Sequence, residues 1–119
     1  MSSSSIVHLN VGGKKFATTI GTLTKDSESM LAKMVDEYWD LKKVKAGQAL
    51  FIDRDPSVFD YILNYLRDDL SHVILPAELE QLRRLKAEAD FYQLNELKRS
   101  LNRKIKDIES DFKQNCVDT

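Results

Sequence analysis

Two short segments near the start of the chain alternate between hydrophobic and polar side chains. In residues 6–11, Val7, Leu9 and Val11 form a hydrophobic face and Ile6, His8 and Asn10 form the other face, which predicts a half-buried strand. Gly12 and Gly13 follow, and they indicate a tight hairpin turn because such a turn needs positive φ angles. The return strand is predicted over residues 14–20, with a short turn over 21–24. The chain therefore opens with a β-hairpin.

Hydrophobic spacing then changes to the helical period. A helix is predicted over residues 27–34, with Ser27 as its N-cap. Residues 36–47 are mostly polar and predict a long exposed loop. The hydrophobic run at 49–52 is short enough to be a buried strand. A third strand is thus separated from the hairpin by a helix and a loop.

Two prolines mark the starts of further helices. Asp55 is predicted to cap a helix whose first position is Pro56, where the missing N–H costs nothing. A hydrophobic stripe with 3–4 spacing carries this helix to near Arg67. A second helix is predicted to start at Pro76 and to break at residues 91–93.

The last predicted helix begins at Leu94 and carries hydrophobic residues spaced by four, three and four positions. We call these residues the helix seam: Leu101, Ile105, Ile108 and Phe112. The spacing is the a/d step of a coiled coil, but it covers only about two heptads, with Leu97 slightly off the line. Two alternatives stay open, namely packing on the chain's own domain or packing against a partner helix.

Composition narrows the function classes. The 119 residues contain 18 basic and 19 acidic side chains, so the net charge is −1, and the charge is spread evenly. The length suits one domain and disfavours a two-domain enzyme. Nucleic acid needs a concentrated positive field, so we expect no such partner. Short hydrophobic runs and an N-terminus without a signal pattern predict neither membrane contact nor secretion. The single Cys116 cannot form an internal disulfide, which favours a cytoplasmic location.

Candidate catalytic and metal-ligating residues are few. His8, His72 and the single Cys116 are far apart and have no zinc-site spacing. Asp53 and Asp55 resemble an acid/base pair, but hydrogen bonding at a strand–helix junction explains them more simply. We therefore predict a non-enzyme with no catalytic residues, no metal site and no cofactor.

Three sequence blocks in order resemble the potassium-channel-tetramerisation type of BTB/POZ domain. The blocks are Ile6–Thr19 with Thr22–Thr24 and Ser29–Leu31, then Phe51–Phe59 with Ile62–Asp68, and finally Leu75–Pro76 with Glu88–Ala89 and Phe91–Leu94. The resemblance implies an α+β fold, in which a small three-stranded sheet with an N-terminal hairpin packs against a cluster of helices, followed by a C-terminal helix. It divides the chain into a disordered tail (1–5), the domain (6–101) and a helical extension (102–119).

The resemblance also implies self-assembly. Domains of this type form rings of four or five subunits through a polar interface, and here five is favoured and four remains possible. A closed ring uses two different surfaces of each subunit. The residues expected in that interface, or in the junctions that support it, are Asn10, Asp53, Arg54, Asp55 and Arg67.

Two branches share this domain, namely voltage-gated potassium channels and the soluble KCTD family. The amino-acid sequence of the first block is more similar to the KCTD family. Many channel domains hold an intersubunit zinc with one His and three Cys, which a chain with only Cys116 lacks. Because many KCTD members are adaptors for cullin-RING ubiquitin ligases, the expected function is a substrate adaptor with a cullin scaffold as partner. The alternative is a channel assembly domain or a channel or receptor regulator.

Cullin binding in BTB domains uses the segment after the helix that follows the second strand. This segment often carries a three-residue pattern, namely a hydrophobic residue, any residue and an acidic residue. Two triplets fit this pattern and give the candidates Met34, Asp36, Tyr38, Trp39 and Asp40. The aromatic pair either folds back on its own domain or anchors a partner.

One position departs from the family pattern. The family commonly has glycine after the segment corresponding to residues 67–68, and this chain has Asp69. Aspartate tolerates the left-handed region better than most residues, so we expect the turn to survive.

Overall fold

The computed structural model describes residues 5–40 and 48–117, with side chains described up to residue 38 and from 48 to 112. The elements within these ranges are β1 (Ile6–Val11), β2 (Lys14–Thr19), α1 (Ile20–Leu23), α2 (Met30–Asp40), β3 (Leu50–Ile52), α3 (Phe59–His72), α4 (Leu79–Phe91) and α5 (Asn95–Val117). None of the described helices combines the length and the hydrophobicity that crossing a membrane would require.

The sheet has the order β2-β1-β3, with β1 in the centre. β1 pairs antiparallel with β2 and parallel with β3, so the predicted hairpin is confirmed. The return strand ends at Thr19, because the Thr19 hydroxyl accepts a hydrogen bond from the backbone N–H of Thr22 at 3.1 Å and caps α1. Residues 20–23 therefore form one helical turn, and the prediction that Ile20 ends the strand is wrong.

Gly12 fixes the hairpin turn against the segment between β3 and α3. Its φ is +56°, and a Cβ at this position would lie 2.3 Å from the carbonyl oxygen of Arg54. The Gly12 N–H donates to the carbonyl oxygen of Ile52 at 2.9 Å. By contrast, Gly13 has φ +102° and open space around it. Only a residue without a side chain permits the close approach at Gly12.

The start of α2 differs from the sequence prediction. The helix begins at Met30, and the hydroxyl of the fully buried Ser29, not Ser27, accepts a hydrogen bond from the N–H of Ala32 at 3.1 Å. The N–H of Met30 donates to the carbonyl oxygen of Tyr92 at 2.8 Å. Ser29 can cap the helix because it is held inside the corner between α2 and α4.

The end of α2 also differs. The helix continues to Asp40, so residues 36–40 of the predicted loop are helical, and residues 41–47 lie outside the described part. Val35 is fully buried while Asp36 and Glu37 are exposed. Residues 36 and 37 are polar because they lie on the outer face of an amphipathic helix, so their polarity does not indicate a loop.

Asp55 is not the N-cap of α3. Its carboxylate accepts a hydrogen bond from the N–H of Ser57 at 2.9 Å, forming an Asx turn, and Val58 occupies the cap position without a side-chain hydrogen bond. Pro76 likewise lies before α4, whose cap position is Glu78. Both prolines mark the connection that precedes a helix, rather than its first residue.

α3 contains a kink at Asp69, where φ is 59° and ψ is 180°. The positive φ expected from the family's glycine is confirmed, but ψ lies outside the left-handed helical region and in the one that glycine dominates. The Asp69 carboxylate accepts a hydrogen bond from the N–H of Ser71 at 2.8 Å, which holds the turn.

The core lies between one face of the sheet and α3, α4 and α5. Phe59 stands at its centre, with its ring centroid 4.9 Å from that of Phe16 and 5.6 Å from that of Tyr92, both in edge-to-face contact. α5 contributes Leu97, which is fully buried although its spacing places it off the helix seam. The first half of α5 is therefore part of the core.

Candidate interaction surfaces

Four of the five predicted interface residues lie around the hairpin turn and the β3–α3 connection. We call them the junction surface: Asn10, Asp53, Arg54 and Asp55. The Asn10 side chain accepts a hydrogen bond from the N–H of Gly13 at 2.8 Å, and Asp53 is exposed. The close contact of Gly12 with the Arg54 carbonyl brings the two parts together.

Arg54 makes most of its contacts inside the chain. Its Nε donates to Glu88 Oε1 at 3.0 Å and its Nη2 to Glu88 Oε2 at 2.7 Å, while the guanidinium carbon lies 4.2 Å from the Phe91 ring centroid. The hydrogen bond to Glu88 raises the pKa of Arg54. Arg54 thus joins the junction surface to α4, and its role in an interface between subunits stays a prediction.

Asp55 is more available to a partner. Its carboxylate pairs with Arg84 at 2.6 Å, and the two side chains are 38% and 46% exposed. The Ser57 backbone N–H, the Ser57 side chain and Arg84 lower the pKa of Asp55, in that order of importance. The carboxylate is therefore charged at neutral pH and accessible from solvent.

Arg67 belongs to a different element from the other four residues. It is exposed on α3, and among the described residues its guanidinium donates only to the Asn64 side chain, at 3.3 Å. Eight residues of helix separate Phe59 from Arg67, which corresponds to about 12 Å along the axis. We call the exposed part of α3 around Arg67 the Arg67 surface; it presents a guanidinium, whereas the junction surface presents the carboxylates of Asp53 and Asp55.

The outer face of the sheet is not covered by a described helix. Ile6 and Phe51 are 55% and 59% exposed there, and the paired residues His8 and Ala17 are exposed on the same face. Phe51 pairs in register with Asn10, so this face continues the junction surface. Sequence reasoning missed Phe51 because β3 was interpreted as buried on both faces, although simple alternation with the buried Ile52 places Phe51 outside.

The predicted cullin-binding residues do not share one face of α2. Met34 is half-buried against the core and Asp36 is exposed, as expected for residues two positions apart on a helix. The Tyr38 hydroxyl donates to the carbonyl oxygen of Gln48 at 3.1 Å, so this side chain folds back on its own domain. Trp39 and Asp40 end the helix, and their side chains lie outside the described part.

The helix seam is divided between the core and solvent. Leu101 and Ile105 are buried in the core, Ile108 packs at its edge, and Phe112 is 69% exposed. A hydrogen-bonded ion pair between Arg83 and Glu109 at 3.0 Å keeps α5 beside α4 over this length. The intramolecular alternative therefore holds for the first part of the seam, and Phe112 remains uncovered by the described chain.

Metal ligation finds no support in the described geometry. Among the described side chains, residues 5–38 and 48–112, no three of His, Cys, Asp or Glu come together as a metal-binding group. The Cys116 side chain lies outside the described part.

A small mixed sheet led by a hairpin, packed on helices and bordered by exposed polar surfaces, defines a protein-interaction module. The chain belongs to the BTB/POZ domain family, of the potassium-channel-tetramerisation type, because the family profile matches residues 7–101. The family and the mixed α and β fold predicted from sequence are both confirmed.

Named relatives agree with this assignment. The chain is 44% identical to human BTB/POZ domain-containing protein KCTD21 over 98 residues, which cover 82% of this chain and 36% of the relative. It is 42% identical to human potassium channel regulatory protein (86% and 36% covered) and 42% identical to Arabidopsis thaliana FH protein interacting protein FIP2 (88% and 35% covered). The chain thus spans about a third of the length of these relatives. Membership of this family indicates that the chain is a domain for protein–protein interaction and oligomerisation.

Proposed function

We propose that this chain assembles into a closed homo-oligomeric ring and acts, without catalysis, as a cytoplasmic substrate adaptor for a cullin-RING ubiquitin ligase. Five subunits are favoured and four are possible. The observation that carries the proposal is the BTB/POZ match over residues 7–101, together with the similarity to KCTD21 over 82% of the chain. We assign residues 6–101 to the ring subunit and 102–119 to the helical extension, whose Ile105 still packs into the core of the subunit.

The ring contact joins the junction surface of one subunit to the Arg67 surface of the next. Asp53 and Asp55 offer accessible carboxylates on one side, and on the other Arg67 offers a guanidinium whose one partner within the described part of the chain is Asn64, at 3.3 Å. A contact between two different surfaces closes into a ring when its rotation permits. Phe51 adds exposed hydrophobic area beside the carboxylates.

Mass determination tests the ring. Light scattering of the wild type should give four or five times 13.7 kDa. Arg67→Glu places like charges in the contact and should yield smaller species, and Asp53→Arg combined with Arg67→Glu should restore part of the assembly. Arg103→Glu, which reverses an exposed charge on α5, is the matched control. A monomeric wild type at tens of micromolar would exclude the ring.

Cullin binding uses the exposed side of α2 and its C-terminal end. Asp36 is exposed there, and Tyr38 holds the chain at Gln48 next to the predicted contact. Titration of a cullin N-terminal domain should give binding that Asp36→Lys and Tyr38→Ala weaken. The control is Asp107→Lys, an equal charge change on exposed α5. Absence of binding by the assembled wild type would refute the adaptor role and leave the ring proposal intact.

A second candidate is a regulator or assembly domain of a potassium channel. It is favoured by the 42% identity to human and 41% identity to bovine potassium channel regulatory protein. Co-purification with a channel's cytoplasmic assembly domain, in the absence of cullin binding, distinguishes this candidate from the adaptor.

A further inference from the structure

A cleft of about 650 Å³ lies where two connecting segments of the chain meet the C-terminal part of α3. Its walls come from residues 25–28 between α1 and α2, from Tyr65, Leu66 and 69–71 in α3, and from Gln93 with the first two residues of α5, Asn95 and Glu96. None of the junction-surface, helix-seam or α2 candidates contributes to it. The volume falls in the range of sites that hold small molecules or a few amino-acid side chains.

The cleft is acidic. Its lining contains four carboxylates and one amine, namely Asp26, Glu28, Asp69, Glu96 and Lys25. The Asp26 and Asp69 carboxylates accept backbone hydrogen bonds, and the Ser71 N–H lowers the pKa of Asp69. Glu28 and Glu96 make no ion pair or side-chain hydrogen bond with the residues that the structure describes. Two carboxylates are thus fixed and two are free to reach a ligand.

Tyr65 provides the second observation. It lines the cleft and is 8% exposed, and its hydroxyl has no hydrogen-bond partner among the described residues. The oxygen is not one of the fully buried polar atoms without a partner, so it reaches the open space of the cleft. Burial is the main cause that raises the pKa of Tyr65; the charges of Glu96, Asp26 and Asp69 add to the rise, and the charge of Arg99 opposes it. An unpartnered hydroxyl at the wall of the cleft can form a hydrogen bond with a ligand atom.

We propose that the cleft binds an arginine side chain carried by a basic segment of a partner protein. A guanidinium has five N–H donors in one plane, so it can donate to Glu28 or Glu96 and to the Tyr65 oxygen at once. An anionic ligand is repelled by four carboxylates, and an apolar ligand leaves the phenol without a partner. The weaker hydration of a guanidinium favours arginine over lysine beside a buried ring.

A protein segment is the favoured source of this guanidinium. Nucleic acids and anionic membranes present phosphates, which the acidic lining excludes. The cleft is larger than one side chain requires, and the remaining space suits the flanking backbone of an extended segment. This inference does not rest on the ring or on cullin binding, since its residues belong to neither surface.

Fluorescence anisotropy with a labelled Ala-Arg-Ala-Arg-Ala peptide tests the proposal on the full chain. We expect saturable binding that weakens as salt is raised. Glu96→Gln should weaken it about two- to fivefold, as expected for a solvent-exposed ion pair. Tyr65→Phe keeps the aromatic ring of the side chain and removes its hydroxyl, and it should weaken binding about two- to tenfold.

Two controls make the test specific. Asp107→Asn removes one exposed carboxylate about 16 Å further along α5 than Glu96 and should leave binding unchanged. A peptide with citrulline in place of arginine keeps the shape without the charge and should bind at least tenfold more weakly. Circular dichroism of each variant identifies any loss of folding.

Several results would overturn the proposal. These are equal binding of the citrulline peptide, equal weakening by Asp107→Asn, or wild-type affinity in the folded Tyr65→Phe and Glu96→Gln variants. Free arginine binding as tightly as the peptide would refute the protein segment and indicate a small-molecule site.

Discussion

The guanidinium of Arg54 binds both carboxylate oxygens of Glu88, at 3.0 and 2.7 Å. Glu88 is only 5% exposed, so its charge is removed from water and depends on this partner. The pair connects the segment after β3 with α4, and the same segment carries the junction surface. The fold and the proposed ring contact therefore share one ion pair.

Removing Arg54 should lower the free energy of unfolding far more than removing an arginine from an ion pair at the surface. Arg54→Ala leaves the Glu88 charge buried and should lower the free energy of unfolding by about 2–4 kcal/mol, since Arg54 is itself partly exposed. The control is Arg84→Ala, which removes the exposed pair with Asp55 and should cost less than about 1 kcal/mol. Urea unfolding at one protomer concentration measures both, and equal losses would contradict the assignment.

Gly12 and Gly13 should respond very differently to the same substitution. Gly12→Ala places a methyl group 2.3 Å from the Arg54 carbonyl oxygen and should cost more than about 2 kcal/mol. Gly13→Ala meets no atom within 4 Å, so only its positive φ is unfavourable, at about 1 kcal/mol. Thermal unfolding of the two variants provides the comparison. Similar melting temperatures would mean that the close approach has little influence.

Asp69 offers a site for stabilisation. Its φ of 59° with ψ of 180° suits glycine, so Asp69→Gly should raise the free energy of unfolding by up to about 1 kcal/mol, reduced by the lost hydrogen bond to Ser71. Asp68→Gly, one residue earlier in α3, should lower it by a few tenths of a kcal/mol. Denaturant titration should reveal opposite signs, and destabilisation by both variants would refute the backbone interpretation.

The helix seam should separate into two parts by mutation. Ile105→Ala creates a cavity in the core and should cost about 2–4 kcal/mol. Phe112→Ala should change the stability by less than about 0.5 kcal/mol, because the side chain is 69% exposed. Light scattering adds a second readout. Dissociation of the assembly by Phe112→Ala would show that the end of the seam joins subunits.

Local sequence patterns predicted the hairpin, the third strand and the hydrophobic faces of α3 and α4. They failed where a tertiary contact decides the outcome. Ser29 rather than Ser27 caps α2 because the corner with α4 buries it, and no local spacing encodes that corner. The continuation of α2 past Met34 was missed because its outer face is polar throughout.

The candidate surfaces were predictable only in part. Asn10, Asp53, Arg54 and Asp55 were proposed from a family resemblance, and their proximity follows from the parallel pairing of β1 with β3. The bond from Arg54 to Glu88 spans 34 residues and has no signature in the local sequence. The acidic cleft was likewise not predictable, because it brings together two connections and the C-terminal part of α3, which are distant along the chain.

The parallel pairing of β1 with β3 has a consequence for synthesis on the ribosome. The central strand receives its second neighbour only when residues 50–52 have emerged, and the core is complete only when Ile105 has followed. One hydrophobic face of the hairpin therefore stays uncovered until most of this chain has been translated. A nascent subunit cannot offer a finished surface to a neighbour early, so assembly between chains is delayed until each has nearly folded.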